Sequence, residues 1–408
     1  MVSKNTWIAV LAGLCALLVA GCGGSDSGGG GGDSDKPIKV GASLPLTGEF
    51  SEPGKAAKQG YEVWAKTINQ KGGLLGRKVE FVFRDDASSQ NTVVSDYTNL
   101  IEREKVDLLA GTFSSLLNIP ASTVAERNRM LYVEPAGGAP EIFDRGYKML
   151  FFAQQATSDK QADMWAEYVL GLPASQRPKT AAYPTLDDPF AVPVLEGVRA
   201  KFEKGGIKTV QSSKYPADTS NFDSIANAVK AKNPDVVVHG ATFADGVSFV
   251  RAMNKVGFKP KMFFETSAPS FGDQYLKGVG EKLTEGTFYA VSHTKEAATP
   301  GNKEFVAQYK KMFGGTEVPE DAADAYAVGE VIAKAVEEVK SVGRSDQPKL
   351  ADYLHKNKVD TILGPLEWDE AGRPQGEFLI GQWQDGKPEI VLPKEAATSD
   401  KIVPTYGG

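Results

Sequence analysis

The chain has 408 residues, 41% of them hydrophobic and 24% charged, with a formal net charge of −6. These are the proportions of a soluble globular chain, and the negative balance argues against a nucleic-acid partner, whose phosphates need a basic face. The only cysteines are Cys15 and Cys22, and the histidines His239, His293 and His355 lie far apart, so neither a disulfide framework nor a helical zinc motif is expected.

At the N-terminus, Lys4 precedes an apolar run over residues 7–20 that ends in Val19-Ala20-Gly21-Cys22 and leads into a glycine-rich stretch. This reads as a secretory signal, residues 1–21, cut before Cys22, whose thiol is the expected point of lipid attachment. The run falls short of the roughly 20 residues that a membrane span needs. Residues 22–36 then form a flexible tether. It holds a body of roughly 385 residues, enough for two domains, outside the cell membrane.

From Ile38 short apolar runs alternate with amphipathic stretches, the pattern of βα units in a parallel sheet. Strands are predicted at 38–43, 78–84, 106–110 and 130–133, with helices at 56–69, 92–104 and 120–127. A second set follows, with strands at 180–183, 209–215, 236–240 and 261–265 and helices at 194–203, 222–230 and 246–256. Lys71-Gly72-Gly73 and Lys204-Gly205-Gly206 close the first helix of each set, glycine being a common helix stop. Two similar α/β lobes are therefore expected. Helices at 302–312, 321–340 and 349–355 lack the strands for a third lobe and are expected to complete the first. Strand-like runs at 366–368, 378–383 and 389–391 end the chain. Crossings at 151–155, 286–290 and 372–376 would act as a hinge. The expected division is 37–153 plus 288–374 for one lobe, 154–287 plus 375–398 for the other, and a tail at 399–408.

In open parallel sheets a ligand sits beyond the carboxyl ends of the strands, against helix N-termini. One loop there is Gly111-Thr112-Phe113-Ser114-Ser115-Leu116-Leu117, where Ser114 or Ser115 caps a helix with Pro120 near its first turn and leaves amides for a carboxylate. Another is Glu134-Pro135-Ala136-Gly137-Gly138-Ala139-Pro140, whose glycines let the backbone approach a ligand closely. A plain helix cap and a plain turn satisfy the same two patterns. In the second set Asp187-Asp188-Pro189-Phe190, Thr242-Phe243 and Glu265-Thr266-Ser267 occupy the matching strand ends and offer aromatic cover and an acid for a cation. The sequence carries no nucleophile elbow, phosphate loop or dinucleotide fingerprint. A binder with no cofactor, metal or catalytic residue is expected, and a tethered hydrolase is the competing class.

Three segments carry a family resemblance: Val40-Gly41-Ala42-Ser43-Leu44-Pro45-Leu46-Thr47-Gly48, Asn69-Gln70-Lys71-Gly72-Gly73-Leu74-Leu75-Gly76-Arg77 and Gly364-Pro365-Leu366-Glu367-Trp368-Asp369. Over about residues 38–391 the chain resembles the leucine/isoleucine/valine-binding type of substrate-binding proteins of ABC transporters. The resemblance implies a type I periplasmic-binding-protein fold, α/β, with two Rossmann-like lobes of parallel sheet joined by three crossover strands. It also implies a small carboxylate-bearing ligand, an amino acid or a related compound, and ABC permease and ATPase subunits as partners. A membrane receptor that senses the closed form is the alternative partner. The resemblance puts the carboxylate-binding serine on Ser115, beside Ser114. The segment that offers a carbonyl and a threonine hydroxyl falls on Ala136, Gly137 and Gly138, with glycine at the threonine's place. An aromatic after the first strand falls on or near Pro53, second-lobe aromatics on Phe190 and on Thr242 or Phe243, and the ammonium-binding acid on Glu265 or Thr266. The departures from the family pattern count against strict specificity for leucine or valine.

Overall fold

The computed structural model describes residues 36–407, so the signal segment, Cys22 and nearly all of the tether lie outside the described residues. The first five strands are β1 (Ile38–Leu44), β2 (Val79–Asp85), β3 (Leu108–Ala110), β4 (Tyr132–Glu134) and β5 (Leu150–Phe152). They form one parallel sheet in the order β2-β1-β3-β4-β5. Lys39 alone is exposed in β1, a burial on both faces that a parallel sheet covered by helices requires.

The next five, β6 (Thr180–Leu186), β7 (Lys208–Tyr215), β8 (Val236–His239), β9 (Met262–Glu265) and β10 (Thr287–Val291), build a second sheet. A small antiparallel pair, β11 (Val359–Thr361) and β12 (Gly364–Leu366), precedes β13 (Leu379–Gln384) and β14 (Lys387–Leu392). The second sheet runs β14-β13-β10-β9-β8-β6-β7, with β13 and β14 antiparallel at its edge. Its two faces feed separate cores. Val237 and Phe263 point to a cluster with Phe249, Tyr275 and Trp383, while their neighbours Val238 and Phe264 join Trp165, Phe202 and Phe288 on the other side.

The late helices return to the first lobe as expected. Helices Asn302–Phe313 and Glu320–Val339 share a core with β1 and helix Ser51–Gln70 through Val40, Tyr61, Trp64, Phe305, Tyr326 and Ile332. Two of these helices meet backbone to backbone. A Cβ on Gly60 would lie 2.0 Å from the carbonyl oxygen of Ala322, so no side chain fits at that position.

At the lobe junction the Phe152 N–H donates to the Gly372 carbonyl at 3.3 Å, the Gly376 N–H to the Gln155 carbonyl at 2.7 Å, and the Trp368 indole to the Phe152 carbonyl at 2.7 Å. The segment expected to cross at 286–290 is instead largely β10, paired with β9 and β13, and the chain leaves that sheet after Val291. The expected tail is docked: the Tyr406 N–H donates to the Lys261 carbonyl and its ring is buried in the second-lobe core.

Two helix starts differ from the sequence reading. Helix Ser115–Arg127 begins well before Pro120, which lies inside it. The donor that Pro120 lacks is replaced by Gln90, whose Nε2 reaches the Leu116 carbonyl at 3.0 Å. Helix Phe243–Lys255 takes in Phe243, because Thr242 and Asp245 close a capping box there. Helix Asp163–Gly171, which buries Trp165, Ala166 and Val169 on one face, was not anticipated. Among the described residues no helix is long and apolar enough to cross a membrane.

Candidate ligand-binding site

Between the two sheets lies a cavity of about 630 Å³ counted to its open mouth. The first lobe lends it Phe113, Ser114, Ala136, Gly138, Phe152, Glu320, Asp321 and Asp324, and the second lends it Asp188, Phe190, Thr242, Ser267 and Phe378. Gln154, Ala156, Ser158 and Gln161, on the segment that follows β5, complete the wall.

The first-lobe wall is fixed from beneath by Asn118. Its Nδ2 donates to the carbonyls of Thr112 and Ser114 and to Glu134 Oε2, while its Oδ1 accepts from Tyr132 at 2.7 Å. Ser114 sits at φ +73° as the N-cap of helix Ser115–Arg127, its Oγ accepting from the Leu117 N–H. The first amides of a helix have no intrahelical acceptor, and this cap satisfies that of Leu117.

The expected site residues divide into two groups. Ser114, Ala136, Gly138, Phe190 and Thr242 are on the cavity wall. Pro53, Ser115, Gly137, Phe243, Glu265 and Thr266 are not, for local reasons. Pro53 is buried in the first turn of helix Ser51–Gln70, where a fixed φ is useful and a missing N–H costs nothing. The Ser115 hydroxyl turns inward and accepts from the Ala139 N–H at 3.1 Å, tying the helix to the neighbouring loop. Gly137 lies over the Glu134 carboxyl, where a Cβ would come within 2.7 Å of Oε1. Phe243 packs on Phe271 with ring centroids 4.8 Å apart. Thr266 Oγ1 both donates to the Ala241 carbonyl and accepts from its N–H. Glu265 is buried between His239 and Tyr275 beneath the second-lobe wall.

Asp188 and Ser267 fell within the loops singled out from the sequence, but Gln154, Ser158, Gln161, Glu320, Asp321 and Asp324 did not. The last three open helix Glu320–Val339, where the helix dipole favours carboxylates. Their spacing, i, i+1 and i+4, was the available signal. Ser292 binds two of them, its N–H donating to Glu320 Oε1 at 2.6 Å and its hydroxyl to Asp324 Oδ1. Gln154 Nε2 donates to Asp324 Oδ2 and to the Pro135 carbonyl. Burial is the main cause that holds the Asp321 and Asp324 carboxyls well above the usual range, and the Glu320 charge adds to it. Asp188 is raised by burial, against the N–H groups of Phe190 and Ala191 that it accepts.

A cavity walled by both lobes of a doubly wound α/β pair, with crossings at one side, is the arrangement of a protein that closes around a solute. The family model for periplasmic binding proteins matches residues 37–388. The chain belongs to that family. It is 29% identical over 380 residues to a Leu/Ile/Val-binding protein homolog 7 of Brucella suis, covering 90% of this chain and 94% of that one. The leucine-binding protein LivK of Thermotoga maritima shares the fold with a TM-score of 0.77 at 20% identity, over 87% of this chain and 98% of its own. LivJ of Streptococcus pneumoniae, solved with isoleucine, gives 0.75 at 19% identity over 88% of this chain and all of its own. The periplasmic binding proteins of the branched-chain amino-acid type are thus the branch that this chain resembles in both sequence and fold, as the sequence motifs implied.

Proposed function

We propose that this chain is an extracytoplasmic, lipid-anchored solute-binding protein of an ABC importer. It captures a small carboxylate-bearing molecule, an amino acid or a related compound, between its lobes and hands it to a membrane permease driven by ATPase subunits. The observation that carries this reading is a cavity to which both lobes contribute, Ser114 and Asp321 from one and Phe190 and Thr242 from the other. Relatives named for binding Leu, Ile and Val or amino acids support the ligand class.

In this reading Ser114 and the first amides of helix Ser115–Arg127 receive the carboxylate, and Ala136 and Gly138 lie against the ligand. Phe113, Phe190 and Phe378 cover its apolar part. Closure is stabilised by the ligand's greater affinity for the closed state, and no covalent step is required.

A thermal-unfolding screen of amino acids, amides and aromatic acids tests the proposal, because a ligand at 100 times its dissociation constant adds about 2.7 kcal/mol of stability. At least one compound is expected to raise the melting temperature, to shrink the particle in solution scattering and to be recovered unchanged. No stabilising compound with no change in scattering, or turnover of the compound that binds, would reject it.

A further inference from the structure

Among the residues that line the cavity, Asp188, Glu320, Asp321 and Asp324 are carboxylates, and there is no lysine, arginine or histidine to balance them. They do not form a metal set, since among the described residues no group of His, Cys, Asp and Glu could hold an ion. Asp324 and Glu320 are partly satisfied by Ser292 and Gln154. The Asp321 carboxylate accepts from its own backbone N–H.

A second observation is independent of the acids. Ser158 Oγ and Gln161 Oε1, on residues 2% and 8% exposed, belong to the same wall and have no hydrogen-bond partner. An amide Oε1 can only accept, so it awaits an N–H that the protein does not supply. Glu49, exposed in the loop after β1, has its carboxyl raised by partial desolvation and by Asp245 and Asp188 of the other lobe.

We propose that the ligand carries a net positive charge, as a cationic amino acid or a simple amine with an apolar body, and that its protonated nitrogen donates to Asp321, Asp324 and Gln161. This rests on the cavity being the ligand site. An ammonium or guanidinium group supplies the donors that the wall lacks and forms charge-assisted bonds to the acids. Phe113, Phe190 and Phe378 line the same cavity and supply aromatic surface for the carbon skeleton and the charge.

The test is titration calorimetry and thermal unfolding of the purified protein with L-arginine, L-lysine and phenethylamine against L-leucine and benzoate. At least one of the three cations is expected to bind about tenfold or more tightly than L-leucine and benzoate. The variant Asp321→Asn, which breaks no side-chain bond in the fold, is expected to weaken that cation by about tenfold or more while the ligand-free melting temperature stays unchanged. L-Leucine or benzoate binding as tightly as the cations would overturn the cationic ligand and leave solute capture standing. Unchanged cation affinity in both Asp321→Asn and Asp324→Asn would do the same. If none of the five compounds binds and scattering finds no closure, both readings fall.

Discussion

His239 Nδ1 and Glu265 Oε1 lie 2.8 Å apart, both side chains fully enclosed, and the second carboxylate oxygen of Glu265 accepts from the Tyr275 hydroxyl at 2.9 Å. Burial raises the Glu265 carboxyl, and the bonds from His239 and Tyr275 work against that rise. The group is a buried strut under the second-lobe wall. Glu265→Ala leaves two polar partners unmatched and is expected to cost about 3 kcal/mol or more of stability. Ligand affinity of the folded variant is expected to change far less. Calorimetric unfolding beside a ligand titration decides, and a large affinity loss at unchanged stability would return Glu265 to the site.

Gly60→Ala forces a methyl group against the Ala322 carbonyl in the first-lobe core. Overpacking of this kind is expected to cost about 1 to 3 kcal/mol. It also shifts the start of helix Glu320–Val339, so affinity for a bound cation should drop with stability. Denaturant melts and titration of the same sample check both effects.

His293 gives a pH signature. Its ring is buried against Asn302, with Nε2 2.7 Å from Oδ1, and burial pushes its pKa down to about 4. The unfolded value is higher, so the contribution to stability is complete above the unfolded value and is lost as pH falls toward about 4. Raised carboxyls such as Asp86, pushed to about 6, and Glu330, pushed to about 8, act in the opposite direction, so the informative quantity is a difference between proteins. Relative to wild type, His293→Gln is expected to lose less stability on acidification, by about 3 kcal/mol at most. Urea melts of both proteins at about pH 7 and about pH 4 measure it.

Cys22→Ser is expected to move the protein from the membrane fraction to the soluble extracytoplasmic fraction. Fractionation with an antibody against the folded body measures this, and membrane retention of the variant would remove the lipid anchor from the proposal.

The alternation of strands and helices was legible because each parallel strand must be apolar on both faces and each covering helix on one, as in Val236 to His239 beside helix Phe243–Lys255. The start of helix Ser115–Arg127 was not, since a proline reads as a first-turn marker until a distant side chain, here Gln90, is known to fill its missing bond. The Ser115 hydroxyl had two possible partners, and the position of the Ala139 backbone, set by tertiary packing, selected the inner one. The acidic wall escaped for a different reason. A search of strand-end loops cannot find Asp321 and Asp324, which arrive on a helix that follows the second crossing. Their alanine-rich neighbours suit a helix packed closely on others, as in the approach of Gly60 to Ala322.

That approach has a kinetic meaning. Because Gly60 seats helix Glu320–Val339 against helix Ser51–Gln70 in the core they share with β1 and β3, the serine cap and the acids belong to one packed lobe. Under the proposed function a solute therefore docks on one half in the gaping state, and Phe190, Thr242 and Asp188 arrive afterwards as the latch. Discrimination at the first half would govern the rate of capture, and fit against the second would govern how long the solute stays.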